Sequence, residues 1–508
     1  MALCLLMGLV LGCSGSAAQS ATEPEQTAES ATTALSTEAV QSTATDEQAK
    51  DGTPVGNPPE GTPPEGMGQP PAGERPEGTP PGGMGQPPSG GPGGGPGGPG
   101  GSSADIDYSG AVEITSADSQ TDQTYSTDTV DQSALLIATS EAVTIANPTV
   151  TKSGSSNGGD SCNFYGLNAA VLVKDGASVT ITGGTISSDA SGANGIFCYG
   201  GNGGRNGAAG DGTTVTVRDT VITTTGSGSG GIMTTGGGVT YAYDLTVTTS
   251  GQSSAPIRTD RGGGTVYVDG GTYTSHGLGS PTIYSTAEIH VANASLTSNL
   301  SEGVCIEGKN SIELTDCDLT ANNTKCNSNA SFFDTIMIYQ SMSGDADSGT
   351  SSFTMTGGTL TSKNGHVFHV TNTNAIIHLN GVTVVNEDGE GVLLSVCDDG
   401  WSGAGNVATL NAKGQTLEGL LLVGSNATLT LNLTDGSAFI GTVSGAITNA
   451  KGATVSTEVG TVNVTLDGTS TWTLTGDTYV TSFTGNASRV ITNGYTLYVN
   501  GIALTGTK

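Results

Sequence analysis

Cys397-Asp398-Asp399-Gly400-Trp401 sets two adjacent carboxylates beside one of only two tryptophans in the 508-residue chain. Paired carboxylates can act as general acid and base across a glycosidic bond. An indole offers an apolar plane with one polar edge, on which a sugar ring can stack. A second set lies upstream, comprising Arg258, Asp260, Arg261, Tyr284 and Glu307. It combines bidentate donors, an aromatic plane and carboxylates that accept hydrogen bonds from hydroxyls, which suits glycan recognition. The candidate catalytic residues are therefore Asp260, Glu307, Asp398 and Asp399. The candidate ligand contacts are Arg258, Asp260, Arg261, Tyr284, Glu307 and Trp401. Residues this far apart in sequence act together only if the fold stacks them.

The repeats supply such a fold. TVYVDGGTYT (265–274), EIHVANASLT (288–297) and SIELTDCDLT (311–320) align without gaps at an offset of 23 residues. Related copies are SVTITGGTIS (178–187), TVTVRDTVIT (214–223), SFTMTGGTLT (352–361) and AIIHLNGVTV (375–384). Each has two apolar residues one apart, a polar or glycine corner, then a second short alternating strand. A third element recurs between them: GIFCYGG (195–201), GIMTTGG (231–237), PIRTDRG (256–262), GVCIEGK (303–309) and GVLLSVC (391–397). A unit of this length cannot bury its apolar face alone and must stack on its neighbours. Three short strands per turn predict an all-β fold, a right-handed parallel β-helix. Abundant Gly, Thr, Ser and Val fit many short strands with tight corners.

Stacking turns sequence columns into surface columns about 4.8 Å apart. Ile196, Ile232, Ile257, Ile283 and Val304 form the inward column of the third element. Phe197, Met233, Arg258, Tyr284 and Cys305 form the adjacent outward column, followed by Tyr199, Thr235, Asp260, Thr286 and Glu307. The upstream set thus shares one face, with Asp260 and Glu307 roughly 9–10 Å apart, at the edge of the separation used by inverting glycosidases. The plainer alternative is arginines paired with nearby acids on a solvated face. In the first strand the outward residues read Thr180, Thr216, Tyr267, His290, Glu313, Thr354 and His378, too mixed for the Thr-x-Thr lattice of an ice-binding surface.

Residues 105–400 resemble the β-helix of the pectin-lyase-like superfamily. STWTLTGDTYVTSF (470–483) resembles the late repeats of autotransporter-type adhesin passengers. Setting GHVFHVTNTN (365–374) against GVLLSVCDDG (391–400) places Asn372 beneath Asp398 and Thr373 beneath Asp399. That order is similar to polygalacturonases, whose Asn-Thr-Asp coil precedes an Asp-Asp coil. The match then departs: Asn374 stands where the family has Asp, GLLLVGS (419–425) supplies no Gly-His-Gly, and no Arg-Ile-Lys follows. A pectate-lyase-like calcium site would need more aspartates than Asp260 with Arg258 or Arg261 supplies. Cysteines 162, 198, 305, 317, 326 and 397 show no zinc spacing. No metal or cofactor is expected, and Cys317, at a small-residue corner, reads as a buried thiol.

The N-terminal run ending Val10-Leu11-Gly12-Cys13 resembles a bacterial lipobox, which implies a signal peptide over 1–12 and a lipid on Cys13. Residues 14–101 hold sixteen of the nineteen prolines, and EGTPPEGMGQPP (60–71) returns as EGTPPGGMGQPP (77–88). Extended polyproline rises ~3.1 Å per residue, so residues 13–104 read as a disordered stalk. The net charge of −31, with fifteen Lys and Arg, disfavours nucleic acid as a partner. The predicted organisation is a signal peptide, a stalk, a β-helix over 105–404 and a variant solenoid or cap over 405–508. Together these features predict a lipid-anchored protein on the extracellular face of a bacterial envelope. It would bind host or environmental glycans, or another cell surface, as an adhesin or carbohydrate-binding protein. A polysaccharide lyase or hydrolase of the same fold, and a passive envelope component, are the alternatives.

Overall fold

The computed structural model describes residues 106–203 and 209–508. The assignments for Cys13, the signal peptide and the whole of the stalk fall outside these residues. Within them the chain is a parallel β-solenoid. Three long sheets contain fifteen, fourteen and ten strands, and every pairing within them is parallel. As far as Thr383–Asn386, successive strands visit the first, second and third sheet in turn, so each strand bonds to the one three strands later.

The local cause is the alternation in each short strand. In Thr214–Arg218, Val215 and Val217 point inward and are buried while the threonines face out. Apolar residues in register continue this through the core, as in Ile196, Ile232, Ile257, Ile283 and Val304 of the first sheet. Each such side chain contributes roughly 1.5–3 kcal/mol by leaving water. The corner between the second and third sheets needs a left-handed residue. Asp219, Asp244, Asn293 and Asp316 supply it at φ of 51, 50, 54 and 51°. Gly270 holds the same place at φ 76°, where a Cβ would fall 2.2 Å from Asp244 Oδ1. Asn, Asp and Gly tolerate this region best, which explains the corner residues of the repeats. Cys317 follows Asp316 at this corner as a buried free thiol.

Two features modify the expected pattern. A coil with strands Gly238–Tyr243 and Thr246–Thr249 lies between the copies at 214–223 and 265–274, and it places Tyr241 between Thr216 and Tyr267. The outward column of the first sheet is also not solvated. The helix Asp160–Tyr165 lays Phe164 and Tyr165 over Leu172, Phe197, Tyr199 and Met233, forming a second apolar cluster outside the coil.

The third sheet stops at Thr383–Asn386. Beyond it the first and second sheets continue alone with longer strands such as Asn406–Lys413, Thr416–Val423 and Ala427–Thr434, and Trp472 is buried between them. A small antiparallel hairpin, Ile447–Thr448 with Thr454–Ser456, projects from this part.

Candidate functional site

Arg258, Tyr284, Cys305 and Met337 stack in register on the outer face of the first sheet. Two insertions rise beside them. One spans residues 323–333 and precedes the strand Asp334–Tyr339; the other spans 340–349 and follows it. Between them lies a pocket of about 300 Å³, lined by Arg258, Tyr284, Glu302, Glu307, Tyr339, Ser341 and Trp401 among others. Trp401 comes from the CDDGW segment and sits half-buried with its ring 4.9 Å from that of Tyr339. The structure therefore joins the indole to the upstream set.

Glu307 is the centre of the pocket's polar network and is only 2% exposed. Its carboxylate accepts from Tyr284 Oη at 2.5 Å, Tyr339 Oη at 3.0 Å, Ser343 Oγ at 3.4 Å and the Ser341 hydroxyl. Burial, reinforced by the Glu307 charge, pushes both tyrosine hydroxyls well above their ordinary range, so they remain donors. Glu302, also at the pocket wall, has its pKa raised by burial and accepts from Ser301.

Arg258 runs beside Tyr284, its guanidinium 5.7 Å from the ring centre, and donates to Asp260 Oδ2 at 2.6 Å. Asp260 is 3% exposed; burial raises its carboxyl to about 6, against the pull of Arg258. It lies behind Arg258 and does not line the pocket. Arg261 turns away, pairing with Asp345 and packing its guanidinium 4.2 Å from the Phe164 ring centre. Of the upstream set, then, Arg258, Tyr284 and Glu307 face the pocket, while Asp260 and Arg261 support it from behind.

The CDDGW carboxylates do not reach the pocket. Asp398 accepts from Asn406 at 2.6 Å and Asn426 at 2.8 Å. Asp399 turns inward, accepting from Ser331 Oγ at 2.5 Å and Ser331 N at 3.3 Å. His369 Nε2 approaches it at 3.4 Å, too poorly aligned for a good hydrogen bond. Burial would raise the Asp399 carboxyl, but His369 and Ser331 outweigh it and hold it below the usual range. Thr373 pairs with Asn406 in the second sheet instead of lying beneath Asp399. Asn372 donates to Gln340 O at 2.7 Å, tying down an insertion. The polygalacturonase-like alignment therefore positions braces and no exposed acid pair.

These braces hold the pocket wall. Ser331 also receives Asn449 Nδ2 at 3.1 Å, and its carbonyl accepts from Ala450 N at 2.8 Å, both from the hairpin. Phe332 packs with Val392, Cys397, Leu422 and Ile447 in a satellite apolar cluster. Beneath it, His366 Nδ1 and His369 Nδ1 each lie 2.7 Å from Ser395 Oγ. Burial lowers His366 to about 3, keeping it neutral.

Sequence reasoning missed Tyr339, Ser341, Ser343 and the 327–330 wall, all carried by or next to insertions. The only signal for them was the lengthened spacing between the copies at 311–320 and 352–361. Among the described residues no group of three or more His, Cys, Asp or Glu could hold a metal ion. No protein-family model, curated protein or solved structure matches this chain.

Proposed function

We propose that the protein is a carbohydrate-binding surface protein, an adhesin, whose pocket takes the end of a glycan. The observation that carries this reading is the convergence of Trp401, Tyr339, Arg258 and the hydroxyl-bound Glu307 around one small cavity. An aromatic plane beside fixed donors and acceptors is suited to a ring with one apolar face and a hydroxyl rim. A volume of about 300 Å³ is at the small end of ligand pockets, favouring a terminal sugar over a long chain lying in a cleft. The assignment to pectin-lyase-like and passenger-like solenoids rests on the repeat pattern. Attachment through Cys13, with residues 13–104 as the stalk, rests on the N-terminal sequence. On this reading the β-solenoid is displayed on the outer side of a bacterial envelope.

The full chain on an array of neutral and acidic glycans, followed by calorimetry on the hits, tests the reading. Trp401→Ala and Glu307→Gln should each weaken binding about tenfold, and no reducing ends or unsaturated uronates should be released. Product release lost in Asp260→Ala or Asp398→Ala would establish the lyase or hydrolase alternative. Absence of binding to any glycan would leave the passive envelope role.

A further inference from the structure

The outer face of the second sheet carries a groove that the glycan reading does not use. Tyr241, Tyr267 and His290 stack in successive coils, with ring centres 5.2 and 5.0 Å apart and planes within 10° and 9°. Two residues along each strand, a parallel column runs Arg218, Tyr243, Asp269, Ala292 and Thr315. The small Ala292 leaves a gap between the columns, part of a groove of about 350 Å³ that Glu313 also lines.

The stacked rings present edges outward, so they offer no faces to a sugar. The second column shows what one of these rings does accept. The Arg218 guanidinium lies 3.5 Å from the centre of the Tyr243 ring, one coil before it. On the other side of Tyr243 the next coil carries Asp269, and both residues line the groove with Ala292. Asn293 Nδ2 donates to Asp269 Oδ1 at 2.7 Å and fixes that carboxylate. Glu313 and Glu288 flank His290 at 3.0 and 2.8 Å. A cation entering at Ala292 would therefore meet aromatic surface on one side and two carboxylates, Asp269 and Glu313, around it. Cations are attracted to aromatic faces, and carboxylates add directional acceptors.

We propose that this groove binds a guanidinium or ammonium side chain presented by a basic polypeptide. Charge complementarity selects that occupant: a chain of net charge −31 steers cationic partners toward itself and repels acidic ones. The proposal is independent of the glycan pocket.

The test titrates the full chain with arginine amide, followed by saturation-transfer NMR at low salt. Binding is expected on the order of millimolar, weakened about fivefold in Glu313→Gln. Ala292→Leu fills the gap without changing any charge and should abolish it. Glu313→Gln leaves the shape unchanged, so the two variants separate charge from space, and melting curves confirm that both fold. Equal binding by wild type and both variants would show diffuse attraction to an acidic surface and overturn the proposal. Failure to bind arginine amide, or binding of neutral cellotetraose in its place with the same sensitivity to Ala292→Leu, would also overturn it.

Discussion

On the second sheet, Tyr241, Tyr267 and His290 meet because parallel strands in register place equivalent residues above one another. On the first sheet, Glu307 meets Tyr339, Ser341 and Trp401 only because insertions fold back over the coil and a distant hairpin holds one of them down. The groove is thus a product of local periodicity, and the pocket is a product of long-range packing. A site of the first kind should keep its shape when a single side chain is lost. One of the second kind should fail when a remote brace is removed.

Phe332→Ala is the severest way to break this comparison. It removes a ring from the satellite cluster and from above His366 and His369. A loss of about 3–5 kcal/mol in urea unfolding is expected, together with loss of glycan binding while the groove still takes its cation. Retained glycan affinity would mean that the wall does not depend on this packing.

A pH scan tests the buried charge behind the pocket. Burial raises Asp260 in the folded state to about 6, above its ordinary value of 3.8, so the folded protein holds this proton more tightly than the unfolded chain. Its contribution to stability is then fully present below about pH 4 and lost as pH rises through about 6. Relative to Asp260→Asn, the wild type should gain about 2–3 kcal/mol between pH 7 and pH 4. Parallel profiles for the two proteins would refute the buried-carboxylate account.

Asp399→Asn should cost about 1–3 kcal/mol by weakening the Ser331 and His369 contacts. Hydrogen exchange should rise together in residues 323–333 and in the hairpin, since Ser331 joins them. Exchange confined to the mutated loop would uncouple hairpin from wall. At the mild end, Tyr267→Ser removes a ring that is 39% exposed. It should change stability by less than about 1 kcal/mol and leave glycan binding untouched.

The legible parts were those governed by a short period. The stack of Arg258 on Tyr284 follows from the repeat alignment and appears as a pair in the structure. The pairing of 265–269 with 288–292 and 311–315 does so too. The coil at 238–249 is hidden in the sequence because its glycine-rich approach, 236–238, blurs the strand boundary. Exposure was misjudged where another segment covers the coil: Phe197 and Met233 occupy the outward column and are buried by the short helix. CDDGW shows the same divide within five residues. Its proximity to the upstream set could not be read from the repeats, yet Trp401 reaches Tyr339, and its acids turn away from the pocket into bracing roles.

By itself, the amino-acid sequence determined the solenoid, its inward columns, its left-handed corners and the stacking between directly adjacent repeat copies. Each of these depends on alternation over two residues and on corner residues that tolerate φ > 0, both local properties. Only the tertiary structure decided where the pocket lies, that Glu307 is bound by four hydroxyls, and that Asp399 anchors a wall. The path of an insertion is set by which buried surfaces and unpaired polar groups it can satisfy at a distance, and no repeat period records those partners.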